Sequence, residues 1–134
     1  MLSKKDVFIA GFMLYWAEGT KTAVASISLA NTDPAMLKFF IKWLELIGID
    51  RNIIKARLHL YSDMNITKQT LFWSKELGIS AERFQKPYIK ESKLSEISYK
   101  NGFGQGTCNV KINDQERLNY ILMGTKYIKD SMGI

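Results

Sequence analysis

Residues Ile9 to Gly19 read I-A-G-F-M-L-Y-W-A-E-G, an almost wholly apolar stretch closed by a single acid and a glycine. Taken from Lys4 to Ala17, the pattern predicts a helix with apolar side chains nearly all round it. Such a helix is either deeply buried or sits in an interface. Its end is the informative part. An apolar helix ordinarily runs into a neutral or capped terminus, whereas this one delivers a carboxylate, Glu18, where the backbone turns through Gly19 into the next segment. That arrangement places a candidate metal ligand at a surface; the plainer reading is a core helix with a polar end.

Working outward, Lys21 to Ala30 is rich in Val, Ile, Thr and Ser and predicts a strand. Asn31-Thr32-Asp33-Pro34 starts a helix, because Asp33 can accept from the free N–H groups and Pro34 suits the first turn. That helix runs to Ile47, with Met36, Leu37, Phe40, Trp43, Leu44 and Ile47 at helical spacing, and Gly48 ends it. Ile53 to Tyr61 alternates: Ile54, Ala56, Leu58 and Leu60 on one face, Lys55, Arg57, His59 and Tyr61 on the other. A third helix spans Ile66 to Leu77 and stops at Gly78. A short strand, Lys86 to Lys90, puts Lys86, Tyr88 and Lys90 on one face. Ser92 to Gly106 is polar and glycine-bearing, a loop. Thr107 to Asn113 alternates again, Cys108, Val110 and Ile112 inward and Thr107, Asn109, Lys111 and Asn113 outward. A last helix covers Asp114 to Lys129. The expected architecture is one α+β domain over residues 1–134: a small, mostly antiparallel sheet with helices packed on one face.

Composition narrows the class. A chain of 134 residues with 46% hydrophobic and 12% aromatic content is long and apolar enough for a core, which excludes disorder. One cysteine (Cys108) and one histidine (His59) exclude a disulfide framework and the usual four-ligand zinc site. No apolar run reaches 18 residues and the N-terminus lacks a signal-peptide cleavage pattern, so an intracellular protein without a membrane segment is expected. The formal charge is +6, which favours an anionic partner. All of that surplus lies between Arg51 and Lys111, which hold 11 Lys and Arg against 5 Asp and Glu; the remainder has 8 of each.

The outward faces of the strands carry Lys, Arg, His, Asn, Thr and Tyr and no acid. A two-stranded ribbon of this chemistry fits the major groove, where Arg and Lys can read guanine and Asn adenine, while lysines in flanking loops neutralise phosphates. The candidate DNA contacts are Lys21, Lys55, Arg57, His59, Tyr61, Lys86, Tyr88, Lys90, Lys93, Asn109 and Lys111. A solvated polar face is also the ordinary state of antiparallel sheets, and that reading stays open.

Set against the nine letters of the LAGLIDADG motif, Gly11 to Gly19 matches at Leu14, Ala17 and Gly19, and Glu18 falls on the acidic position that binds catalytic metal in that family. Met13 and Trp16 stand where the motif has its first glycine and first aspartate. The blocks Y-W-A-E-G-T-K (Tyr15 to Lys21), N-T-D-P (Asn31 to Pro34), R-L-H-L-Y (Arg57 to Tyr61), F-W-S-K-E-L-G-I (Phe72 to Ile79), K-P-Y-I-K (Lys86 to Lys90) and G-T-C-N-V (Gly106 to Val110) extend the likeness. The chain resembles a compact, single-motif bacterial branch of the LAGLIDADG homing endonucleases. The resemblance implies a fold of helix, two strands, helix, two strands and helix, with a saddle-shaped sheet over the DNA major groove. Here one strand after the signature helix is missing and a helix and strand are inserted. It further implies Mg²⁺-dependent phosphodiester hydrolysis with Glu18 as metal ligand, and a nucleoid-associated homodimer through helix 4–17, pairing two Glu18 residues on a two-fold axis. A basic residue near the scissile phosphate is also implied; Lys111, Lys55 and Arg57 are candidates by face, with Lys111 the catalytic choice.

Other readings divide by residue. His59 serves as a general base, a DNA contact or a solvated side chain. Gly102-Phe103-Gly104-Gln105-Gly106 precedes a strand instead of joining a strand to a helix, so it fails as a nucleotide-binding loop. Cys108 points inward, away from His59, which argues against thiol catalysis, and Trp16, Trp43 and Trp73 read as core. The functional alternatives are a site-specific endonuclease, retained Glu18 favouring it; a non-cleaving DNA-binding regulator or intron-splicing helper, favoured by Met13 and Trp16; and an interaction domain for RNA or protein.

Overall fold

The computed structural model of the chain describes residues 1–21, 25–92 and 104–134. Its elements are α1 (Lys4–Glu18), β1 (Ser26–Asn31), α2 (Pro34–Leu46), β2 (Lys55–Tyr61), α3 (Ile66–Leu77), β3 (Phe84–Lys90), β4 (Thr107–Asn113) and α4 (Gln115–Ser131). Local chemistry sets the boundaries. Ser3 and Asp6 form a reciprocal capping box on α1, and Asp33 accepts from Ala35 N at 2.8 Å to open α2 behind Pro34. Asn65 caps α3, which ends at Gly78 in the left-handed conformation that a glycine adopts without penalty. Among the described residues no helix is long and apolar enough to cross a membrane.

The fold is α+β, and its strands form one sheet in the order β1-β4-β2-β3. β4 runs antiparallel to both β1 and β2, but β3 runs parallel to β2. The sheet is therefore mixed: two of its three pairings are antiparallel, in keeping with the expected mostly antiparallel sheet, and the third is parallel. The reason is connectivity: α3 intervenes between β2 and β3 and carries the chain back to the starting end of β2, as a parallel crossover requires.

The inner face reads Ile27 and Leu29 on β1, Ala56, Leu58 and Leu60 on β2, and Cys108, Val110 and Ile112 on β4. Against it pack Phe12 and Tyr15 of α1, Leu37, Phe40, Ile41, Trp43 and Leu44 of α2, Trp73 and Leu77 of α3, and Leu118 and Ile121 of α4. Burying each large apolar side chain in that layer contributes about 1.5–3 kcal/mol. An aromatic chain ties α1 to α2: Phe8 meets Phe12 edge-on at 5.0 Å, Phe12 meets Trp43 at 5.3 Å, and the Trp43 Nε1–H donates to Phe8 O at 3.0 Å.

Several boundaries and faces differ from expectation. The strand predicted from Lys21 begins at Ser26, after a turn in which Ala25 takes φ +60°; residues 22–24 lie outside the described ones. Arg51 to Ile53 forms a 3₁₀ turn because Asp50 accepts from Asn52 N at 2.8 Å, so β2 starts at Lys55. β3 contains a bulge, and the register moves from Arg57–Gln85 to His59–Tyr88. Pro87 sits in that irregularity on an edge strand, where its missing N–H is tolerated. Most of the Ser92–Gly106 loop lies outside the described residues. Finally, α1 is not deeply buried. Only Gly11, Phe12 and Tyr15 are, while Ile9, Trp16 and Ala17 are exposed. Trp43 and Trp73 are core residues, but Trp16 lies on this uncovered face, with Lys129 Nζ 5.7 Å from its ring centre.

Candidate nucleic-acid interface

The outer face of the sheet is a grid fixed by strand register. One row runs Lys90–Tyr61, the next Tyr88–His59–Thr107, then Gln85–Arg57–Asn109–Ala30, then Lys55–Lys111–Ser28, and last Asn113–Ser26. The four strands contain Lys55, Arg57, Lys86, Lys90 and Lys111 and no aspartate or glutamate. Lys55, Arg57, His59 and Tyr88 are exposed, and Tyr61, Asn109 and Lys111 are half-buried. On the β1 side Ala30 is exposed, but Ser28 and Ser26 are buried, so that part of the face is covered. The bulge in β3 turns Gln85, absent from the expected set, onto this face beside Arg57. Lys86 sits at the bulge itself, exposed, and its carbonyl accepts from Arg57 Nε at 2.9 Å. That bond pins the guanidinium along β3 while leaving its terminal amino groups without a partner among the described residues.

One corner of the grid is aromatic. His59 and Tyr88 lie 5.5 Å apart between ring centres, and Lys90 Nζ stands 5.8 Å from the centre of Tyr61. Partial burial and then the positive charges of Arg57 and Lys90 hold the His59 imidazole below its ordinary value of 6.5, which favours the neutral ring. Near the middle of the face, Asn109 Oδ1 is shielded and unpaired among the described residues. Cys108 points into the core as its alternation predicts, and burial pushes its thiol up to about 12. Cys108 and His59 thus serve opposite faces of the sheet and cannot act as a nucleophile and its base.

Glu18 is held at the rim of this face by its neighbours. Gly19 N donates to Tyr15 O at 2.8 Å, ending α1, and Gly19 then forms an antiparallel bridge with Leu29. The contact is too close for any side chain: a Cβ on Gly19 would stand 2.4 Å from the Tyr15 ring. Thr20 N donates to Ser28 O at 2.9 Å, and the Tyr15 hydroxyl donates to Thr20 O at 2.6 Å. Ser28 Oγ donates to Thr20 Oγ1 at 2.9 Å, which puts Thr20 on the outer face in the row of Ser28, Lys111 and Lys55. Lys111 therefore lies two strand spacings, roughly 10 Å, from the backbone that follows Glu18. Lys21 Nζ donates to Gly19 O at 3.2 Å, so its charge also sits at this junction. Glu18 itself is exposed and has no hydrogen bond or ion pair among the described residues.

Comparison with protein-family models, with curated proteins and with solved structures finds no match to this chain.

The site rests on its own geometry. The face brings together Lys55, Arg57, His59, Tyr61, Tyr88, Lys90, Asn109 and Lys111. Lys21 and Glu18 stand at its β1 rim, and Lys86 at its β3 edge. Lys93 lies outside the described residues. Thr20, Ser28 and Gln85 were not in the expected set; Pro87 inside a predicted strand was the available signal for the bulge that exposes Gln85. No group of three His, Cys, Asp or Glu side chains that could hold a metal occurs among the described residues. Glu18 is a carboxylate at this junction, exposed and unpaired among the described residues.

Proposed function

We propose that the chain binds double-stranded DNA across the outer face of its sheet and, as a homodimer through α1, cuts it with the help of Mg²⁺ at paired Glu18 residues. The observation that carries the reading is the juxtaposition of a sheet whose strands hold cations and no acid with an exposed carboxylate, Glu18, unpaired among the described residues, at the β1 rim. Lys55, Arg57, Lys86, Lys90 and Lys111 in the strands would give binding a steep salt dependence, with log K falling against log salt by about 0.9 for each phosphate they neutralise. Arg57 and Asn109, paired in register at the centre of the face, have the chemistry to read guanine and adenine edges.

The order of elements supports the same reading. The Gly19–Leu29 bridge supplies a rudimentary first strand beside β1, so the chain runs helix, two strands, helix, then the β2 and β4 pair, and helix. The α3–β3 segment is an insertion that adds an edge strand. The uncovered apolar side of α1, with Ile9, Trp16 and Ala17, is where a second copy's helix would pack. Mg²⁺ is commonly held by one or two carboxylates together with phosphate oxygens and water. Glu18 of each copy fits that donor set, and the ion would supply charge neutralisation at the phosphate and an activated water. Lys111, in the row that leads to Thr20, would hold the phosphate that is cut.

A second reading has its own support. With one acid, Glu18, at the end of α1 in each chain and Met13 and Trp16 on that helix, the same surface would serve a non-cleaving regulator or splicing helper. Selection from a randomised duplex library in Mg²⁺, sequencing both retained duplexes and new ends, separates the two. A long two-fold site with staggered central cuts identifies the endonuclease, and Glu18→Gln should then abolish cutting while binding persists. An enriched site without cuts identifies the binder. No enrichment refutes both and directs attention to RNA or protein.

A further inference from the structure

We infer that Lys55 and Lys111 clamp one phosphate group between them, in a hollow of the outer face completed by the side-chain amides of Asn113 and Gln85. The two lysines are direct cross-strand partners on antiparallel β2 and β4. Side chains so placed have Cβ atoms about 4.5–5.5 Å apart, and like charges in that position destabilise a sheet. Sheets ordinarily avoid or neutralise such a pair. Here neither ammonium has an acidic partner among the described residues, and Lys111 is half-buried between Ser28 and Lys55. The unbalanced charge is built into the fold and lacks only a counter-charge.

The surroundings suit a tetrahedral anion. A hollow of about 300 Å³ is lined by Ile53, Lys55, Gln85, Lys111, Ile112 and Asn113. Ser26 Oγ donates to Asn113 Oδ1 at 3.3 Å, so the acceptor end of that amide is occupied and its N–H groups are the free end. Gln85 reaches the hollow because the β3 bulge turns it outward. The hollow on the other side of Lys55 carries Glu82 and Arg83, one acid against one further cation, and leaves the balance positive. Two ammoniums and two amides around one opening form a donor set for phosphate.

The source of the phosphate is a DNA backbone if the duplex-binding reading holds, on which this inference rests for its biological ligand; free phosphate shares the chemistry. The test uses the full chain with Lys55→Met, Lys111→Met and the double variant, which keep the apolar stems. Inorganic phosphate should raise the melting temperature of the parent chain, and either single variant should lose most of that rise. Without phosphate the single variants should melt at or above the parent, because the repulsion is relieved. In duplex binding, the double variant should lose about 0.9 from the slope of log K against log salt, since one shared phosphate is released. A loss of about 1.8 would mean that each lysine holds its own phosphate and would overturn the clamp. Absence of any phosphate-dependent stabilisation would overturn it as well. Phosphate stabilisation in a chain that binds no duplex would support the clamp, assign it to free phosphate and remove the DNA reading alone.

Discussion

Replacing Gly11 by alanine tests the placement of the helix that carries Glu18. A Cβ built on Gly11 falls 2.0–2.2 Å from three atoms of the Trp43 indole, well inside any real contact distance. The indole has nowhere to go. It is fully buried, packed edge-on by Phe12 and stacked near Phe40, and its Nε1–H donates to Phe8 O. Alanine would gain about 1 kcal/mol of helix propensity over glycine. Against this, overpacking a core costs about 1–3 kcal/mol, and a buried indole N–H deprived of its acceptor costs about 1–3 kcal/mol more. The net expectation is a destabilisation of about 3 kcal/mol, or a fall in melting temperature of roughly 10 °C for a chain of this size. Gly124→Ala is the internal comparison. There the new methyl meets Phe12 Cε1 at 2.3 Å, but that ring edge borders an open groove of about 470 Å³ between α1 and α4, into which it can swing. Its cost should stay within about 1 kcal/mol, because the propensity gain offsets the adjustment. Thermal and urea unfolding followed by far-UV circular dichroism would measure both. A Gly11→Ala protein as stable as the parent, or a Gly124→Ala protein that is the worse of the two, would refute the packing argument and with it the stated position of α1.

Two solution measurements follow from the site. The His59 imidazole is depressed in the folded protein, so the folded chain binds fewer protons than the unfolded one as pH falls through 6.5. The stability present above 6.5 is therefore lost on acidification until the depressed folded value is passed, and His59→Asn should flatten that part of the curve; an unchanged pH profile would sink the assignment. The Cys108 thiol, pushed up to about 12 and fully buried, should react with a thiol reagent at mildly alkaline pH only as fast as the protein opens; rapid stoichiometric labelling of the native chain would contradict its inward placement.

The order and type of the elements were legible because each rests on local chemistry. Asp33-Pro34 starts a helix whatever surrounds it, and the strict alternation from Lys55 to Tyr61 survives intact in the burial of β2. What escaped the sequence reading depends on partners distant in the chain. The parallel direction of β3 follows from where α3 packs, and the face of Gln85 follows from a bulge that only pairing with β2 reveals. The short bridge of Gly19 to Leu29 joins residues that read as helix end and strand middle, with no alternation to announce it. Apolar neighbours predict a core position for Trp16, yet an apolar neighbourhood cannot tell a buried side from an uncovered one.

That last confusion has a physical cause that bears on function. A helix of a self-sufficient domain shows one apolar stripe, and its opposite side is polar. α1 has apolar residues on both sides but buries only one of them in its own chain. The outer face of the sheet departs from ordinary practice in the complementary sense, holding Lys55 against Lys111 with no acid in any strand. Each departure lowers the stability of the isolated chain, one by leaving Ile9 and Trp16 to water and the other by unrelieved repulsion. Departures of this kind concentrate where a surface is made for something else. They meet at Glu18, the residue at which the uncovered helix ends and the basic face begins. An apolar partner on one side and an anionic one on the other would relieve both at once, as the proposed second copy of the chain astride a nucleic-acid backbone would do.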